Sequence, residues 1–175
     1  SPDGILVGER ATRGLRVDSS SAHVATFESL DNFPDDTSRG TISIWVAPDF
    51  DSTADENKHF VFDNGLARIY FDGADDTFKF EIWDGDDWTT VDVESAETTF
   101  AAHDSLHLVA SFESSTGIKL FVDGVKTAKS VSWSGQNISG GDSQISFGKC
   151  GARSAESLTA SETYFEGVLA EPQIW

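Results

Sequence analysis

From Leu106 onward the chain alternates. Leu106, Leu108, Ala110 and Phe112 fall on one side of an extended backbone, and His107, Val109 and Ser111 on the other. This period of two predicts a strand with one face against a core. Glu113 to Gly117 is polar and ends in glycine, so it reads as a loop, and Ile118 to Val122 resumes the apolar pattern. Asp123-Gly124 then predicts a type I′ hairpin, because both central residues of that turn need a positive φ; Val125 opens the next strand. Similar patterns predict strands at Ile5 to Val7, Leu15 to Asp18, His23 to Phe27, Thr41 to Val46 (ended by Pro48), His59 to Phe62, Ala67 to Phe71, Ile145 to Gly148 and Tyr164 to Trp175. Asp63-Asn64-Gly65 supplies further hairpin chemistry. No segment longer than two turns sustains a helical period. The pattern predicts an all-β fold: a two-sheet antiparallel β-sandwich of about a dozen short strands.

The hairpin formed by Thr77 to Trp83 and Trp88 to Val93 carries its register in its sequence. With Trp83 opposite Trp88, Glu81 meets Thr90 and Lys79 meets Asp92 on one face. Ile82 meets Thr89, Phe80 meets Val91 and Phe78 meets Val93 on the other. A slip by one residue destroys this sorting. Phe78, Phe80, Ile82, Val91 and Val93 are therefore expected in the core. Trp83 and Trp88 are expected as neighbours on the wetter face, beside the acidic turn Asp84-Gly85-Asp86-Asp87.

Length and composition set limits on this picture. The 175 residues, with thirteen Phe and five Trp, suit one globular domain over 1–175 with a substantial core. Neither a repeat nor a linker divides it. Ile174-Trp175 reads as strand interior, so the chain is expected to be part of a longer polypeptide. Nothing in it reads as a membrane-spanning run or a signal segment. The lone Cys150 reads as a small, semi-buried residue. Thirty acids against twelve bases give a net charge of −18, which argues against nucleic acid or an anionic membrane as partner. Bound Ca²⁺, a cationic partner and adaptation to high salt each account for such acidity. Asn137-Ile138-Ser139 is an N-glycosylation pattern that matters only in an exported protein.

The order of these signals resembles the concanavalin A-like, laminin G-like jelly roll. The resemblance rests on Gly40 to Val46, Leu106 to Phe112, Ile118 to Gly124, Ile145 to Gly148, and Tyr164 to Leu169 with Ile174-Trp175. It covers about four-fifths of the chain, with five motifs in order. It implies a domain from a secreted, cell-surface or virion protein. At Ala170 the family usually carries an Asp that helps hold a structural Ca²⁺, so here that ligand is replaced. Pro172, just beyond, removes a ladder donor and implies an edge or a bulge. Trp45 and Trp175 fit motif positions and are expected to pack.

Candidate chemistry is of three kinds. Glycosidases of this architecture resemble one another in a strand of alternating carboxylates, which places nucleophile and acid on one face. Here Glu81-Ile82-Trp83-Asp84 lacks the middle acid, and His23, His59, His103 and His107 show no metal spacing, so no enzyme is expected. A Ca²⁺ ion needs several oxygens from a tight loop, and Asp72, Asp75 and Asp76 around Gly73-Ala74 are the candidate ligands, against an ordinary turn. A sugar needs an aromatic ring for its C–H face and carboxylates for its hydroxyls. Trp83 and Trp88 with Asp84, Asp86 and Asp87 offer those parts, against a Trp pair that merely clamps the hairpin. The expected function is a non-catalytic recognition module for a glycan or cell-surface receptor. The alternative is a structural domain making protein contacts, including homo-oligomers through the parent protein.

Overall fold

The computed structural model describes residues 14–18, 25–28, 39–53, 56–83, 88–92, 99–114, 116–126, 131–133, 144–150 and 164–175. Among these residues there are twelve strands: β1 (Gly14–Val17), β2 (Ala25–Glu28), β3 (Arg39–Pro48), β4 (Lys58–Asp63), β5 (Ala67–Asp72), β6 (Thr77–Trp83), β7 (Trp88–Asp92), β8 (Leu106–Glu113), β9 (Gly117–Val122), β10 (Val125–Lys126), β11 (Gln144–Phe147) and β12 (Gly167–Ile174). They form two sheets, in the orders β1-β12-β3-β8-β9-β10 and β2-β11-β4-β5-β6-β7, and every pairing is antiparallel. The expected all-β sandwich is what forms. The expected strand at Ile5 to Val7 lies outside the described residues, as does Asn137.

Alternation decides what lies between the sheets. Ile42, Ile44, Leu108, Ala110, Ile118 and Leu120 of the first sheet are fully buried, and they face Phe62, Ile69, Phe71, Phe78, Phe80 and Ile82 of the second. Phe71 packs edge-on against Phe78 and Phe100, with 5.2 Å between ring centroids in both pairs. Phe50 adds Phe165 edge-on and stacks on the buried His59 at 3.9 Å. Such rings bury large apolar areas and prefer edge contacts because of their quadrupoles.

The turns follow the predicted chemistry. Asp123 and Gly124 have φ of 51° and 79°, as a type I′ turn requires. Asp63 accepts a hydrogen bond from the Gly65 N–H at 2.7 Å, and Asn64 accepts from the Ala67 N–H at 2.7 Å. The β6–β7 register matches the expected one, with Trp83 opposite Trp88 and Lys79 opposite Asp92. Phe78, Phe80 and Ile82 are buried as expected; the Val91 side chain and Val93 lie outside the described parts. Pro172 sits where the β3–β12 register shifts between Ala170 and Gln173, with Glu171 at φ 50°. The missing N–H is accommodated by this bulge, after which β12 rejoins β3 at Gln173 and Ile174. Among the described residues no helix is long and apolar enough to cross a membrane.

Trp45 packs on the outer surface rather than in the core: it is 38% exposed and stacks on His107 of the neighbouring strand. Trp45 shares the outward parity of Thr41 and Ser43, opposite to Ile42, Ile44 and Val46, so a motif position on β3 does not make it a core residue.

Two glycines separate conformational need from crowding. Gly167 has φ 145°, and a Cβ there would lie 2.3 Å from the Ala47 carbonyl oxygen. Gly124 also has a positive φ, yet nothing lies within 4 Å of its would-be Cβ. Gly167→Ala is expected to lower stability by about 2–4 kcal/mol. Gly124→Ala should cost only about 1 kcal/mol, the conformational part alone. Urea titrations of both variants check the difference; equal losses would refute the crowding argument.

Candidate functional site

The second sheet turns a row of polar and aromatic side chains outward. The registers place Arg68, Glu81 and Thr90 side by side across β5, β6 and β7, with Trp83 and Trp88 one step along. Glu81 is buried and its two oxygens are fully used. Oε2 takes the Arg68 Nε–H, and Oε1 accepts from the Tyr70 hydroxyl at 3.0 Å and the Thr90 hydroxyl at 2.8 Å. The Arg68 guanidinium lies over the Trp88 ring, 3.8 Å from its centroid, and also approaches Tyr70. Tyr70 in turn stacks on Phe60 at 5.0 Å. Burial, then the Glu81 charge, pushes the Tyr70 hydroxyl far above an ordinary phenol, so it acts as a donor only.

Trp83 and Trp88 are neighbours, as expected, in an edge-to-face pair with centroids 5.4 Å apart. Both are half-buried. Arg68 covers Trp88, so the pair is part of a built stack rather than two loose rings. Asp84, Asp86 and Asp87, the expected hydroxyl acceptors, lie outside the described residues. Sequence reasoning missed Arg68. Its only signal was parity with Tyr70 on β5, which places it across from Glu81 once the β5–β6 turn is fixed.

The candidate Ca²⁺ ligands have another occupant between them. Lys79 donates to Asp72 Oδ2 at 2.8 Å and to Asp75 Oδ2, holding the two carboxylates together across the β5–β6 turn. Asp72 Oδ1 also accepts the Ala74 N–H at 3.3 Å, and Asp76 sits in the turn with φ 52°. A Ca²⁺ ion on Asp72, Asp75 and Asp76 would have to displace this ammonium. Among the described residues no three acids, histidines or cysteines are grouped to hold a metal. At the family's Ca²⁺ position, Ala170 pairs with Gly14 and Trp45 and brings no side-chain oxygen. Burial alone would lower the Lys79 pKa, but its hydrogen bonds to Asp72 and Asp75 outweigh that and raise it. The same contact, hydrogen bond first and charge second, holds Asp75 below an ordinary aspartate. Cys150 is buried, and burial pushes its thiol up to about 11.

The first sheet presents a different outer surface. Trp45 stacks on His107 of the neighbouring strand, centroids 4.6 Å apart and planes 18° from parallel. Ser43 Oγ is hydrogen-bonded to His107 Nε2 at 2.7 Å, and the His107 N–H donates to Asp123 at 2.7 Å. His107 is thus a packing histidine of the surface, as its parity predicts.

Two outcomes follow for the second sheet. Glu81→Ala leaves Arg68 without its carboxylate in a mostly buried place and is expected to cost about 3–5 kcal/mol in urea unfolding; a loss under about 1 kcal/mol would show the network to be incidental. Asp75 behaves differently because it is exposed at the turn. Its folded pKa lies below its unfolded one, so the contact stabilises above the ordinary aspartate range, near about pH 4, and is lost as pH falls through the folded value. Asp75→Asn should therefore flatten the acid limb of a stability–pH profile, the limb on which the lowered Asp75 pKa acts.

Comparison with known proteins places this geometry in a family. A family profile described as the concanavalin A-like lectin/glucanases superfamily, of laminin G type, matches residues 18–175. A search of curated proteins finds no match. Among solved structures, the ligand-binding domain of botulinum neurotoxin serotype D, in complex with N-acetylneuraminic acid, superposes with a TM-score of 0.64 at 13% identity, over 93% of this chain and 38% of that one. The receptor-binding domain of the mosaic serotype C/D neurotoxin gives 0.62 at 11% identity, over 87% and 36%. A heptameric SAP-like pentraxin from Limulus polyphemus gives 0.55 at 13%, over 78% and 63%. The chain thus spans little more than a third of the neurotoxin domains, and likeness at these identities concerns the fold. The extent of the family match settles membership: this chain belongs to the concanavalin A-like lectin/glucanase superfamily, as a laminin G-type domain.

Proposed function

We propose that the domain is a non-catalytic recognition module that binds a glycan or a glycan-bearing cell surface, as part of a larger secreted, cell-surface or virion-fibre protein. The observation that carries this reading is the Trp83–Trp88 pair, held edge to face at 5.4 Å on a sheet edge by register and by the Arg68 stack. A sugar ring offers an apolar C–H face, and an aromatic surface already fixed in place loses little freedom on binding it. Asp84, Asp86 and Asp87 join the two tryptophans in the chain and supply acceptors for hydroxyls. Catalysis by Glu81 is disfavoured because both its oxygens are held by Arg68, Tyr70 and Thr90. One similar structure is a neurotoxin domain in complex with N-acetylneuraminic acid, and another comes from a neurotoxin whose cell entry depends on two ganglioside molecules, which supports a glycan as the class of partner.

Glycan-array binding followed by titration of the best ligand tests this. Trp83→Ala and Trp88→Ala should each weaken binding about tenfold or more while the far-UV circular dichroism is kept. Folded variants that bind as the parent does would remove the platform. A stable symmetric oligomer with no sugar affinity would favour the assembly role instead.

A further inference from the structure

A second site lies on the opposite sheet. A groove of about 510 Å³ opens on the outer face of β3, β8 and β9, lined by Arg39, Thr41, Ser111, Glu113, Lys119 and Trp175 among others. Register arranges these side chains in two rows. Thr41 lies opposite Ser111, and Ser111 opposite Lys119; one step along, Arg39 lies opposite Glu113. Trp175 extends the first row, because it exchanges backbone hydrogen bonds with Thr41 at 3.1 and 3.0 Å. The order across the sheet is therefore indole, hydroxyl, hydroxyl, ammonium. Three interstrand steps of ~4.8 Å make this row ~14 Å long.

Charge distinguishes this groove among the described residues. Bases are scarce in the chain, and Arg16, Arg68 and Lys79 are each bound to a carboxylate. Lys58 and Lys149 lie against tyrosine rings. Arg39 and Lys119 take part in no ion pair among the described residues, although Glu113 shares the groove with them. Glu113 accepts the Thr116 hydroxyl at 2.9 Å. Two cations with no ion pair among the described residues, beside two hydroxyls and an indole, form an arrangement complementary to an anion with an apolar face.

We propose that this groove binds a short acidic oligosaccharide. Lys119 and Arg39 hold a carboxylate, Thr41 and Ser111 bond ring hydroxyls, Glu113 accepts one more, and Trp175 takes the C–H face of a sugar at the far end of the row. The site is separate from the Trp83–Trp88 platform and stands whether or not that platform binds.

Titration calorimetry with a galacturonic acid tetramer and a galactose tetramer tests the proposal. At about 0.15 M salt, charges beyond ~8 Å are largely screened, so the excess acidity of the chain does not mask a local contact. The acidic tetramer should bind about tenfold more tightly than the neutral one, and Lys119→Gln and Arg39→Gln should each remove about that factor. Trp175→Ala should weaken both tetramers, since stacking does not depend on the carboxylate. Equal affinity for the two tetramers, no binding of the acidic one, or unchanged binding in both charge variants would each overturn the assignment.

Discussion

A slip of β6 by one residue against β5 and β7 would carry Phe78, Phe80 and Ile82 out to solvent and drive Lys79 and Glu81 between the sheets. The cost would be several buried aromatic side chains lost and two charges gained by the core. The correct register does the reverse on both faces at once. It stacks the phenylalanines over the first sheet, and it brings Glu81 to Arg68 and Thr90 on the outside. The placing of Trp88 over Arg68, and of Asp72 and Asp75 around Lys79, depends on the same pairing. The aromatic core and the outer polar network are thus two consequences of one constraint.

That constraint was legible where one hairpin carried it alone. The β6–β7 register could be read from its own residues, because only one alignment sorts apolar from polar pairs. Asp123-Gly124 announced its turn for the same local reason. What remained hidden needed two elements to be placed together. Arg68 meets Glu81 only once the β5–β6 turn is known, thirteen positions away in sequence. Lys79 stands seven residues from Asp72, so an acidic turn read by itself suggested a cation from solution where the structure supplies one from the next strand. The face taken by Trp45 was hidden for a different reason. A motif fixes a position along a strand, whereas parity with Ile42 and Ile44 fixes the face, and parity places Trp45 outside.

The acidity of the chain acquires a structure in this light. Its few bases are not spread evenly over an anionic surface. Several are spent closing buried or half-buried carboxylates, where an unpaired charge would be most costly. Glu81 and Asp72, with Arg68 and Lys79, show this on the second sheet. Exposed acids, by contrast, need no partner in water and only add to solubility and long-range repulsion. High-salt adaptation and clustered Ca²⁺ sites place different demands on the same composition. Salt acts on the unpaired surface acids, whereas a Ca²⁺ site must collect them, and among the described residues the turn that carries Asp72 and Asp75 already holds an ammonium.

The two outer faces therefore differ in kind. On the second sheet, hydrogen bonds among Glu81, Tyr70, Thr90 and Arg68 satisfy one another and hold the Trp83–Trp88 pair in place at the sheet edge. On the first sheet, Thr41, Ser111, Lys119 and Arg39 lie in rows set by the β3–β8–β9 register, with their polar ends directed away from the core. A sandwich built on strict alternation has this freedom because its core consumes only every second residue. The remaining half is free to differ between the two sheets, with no change to the residues that hold the sheets together.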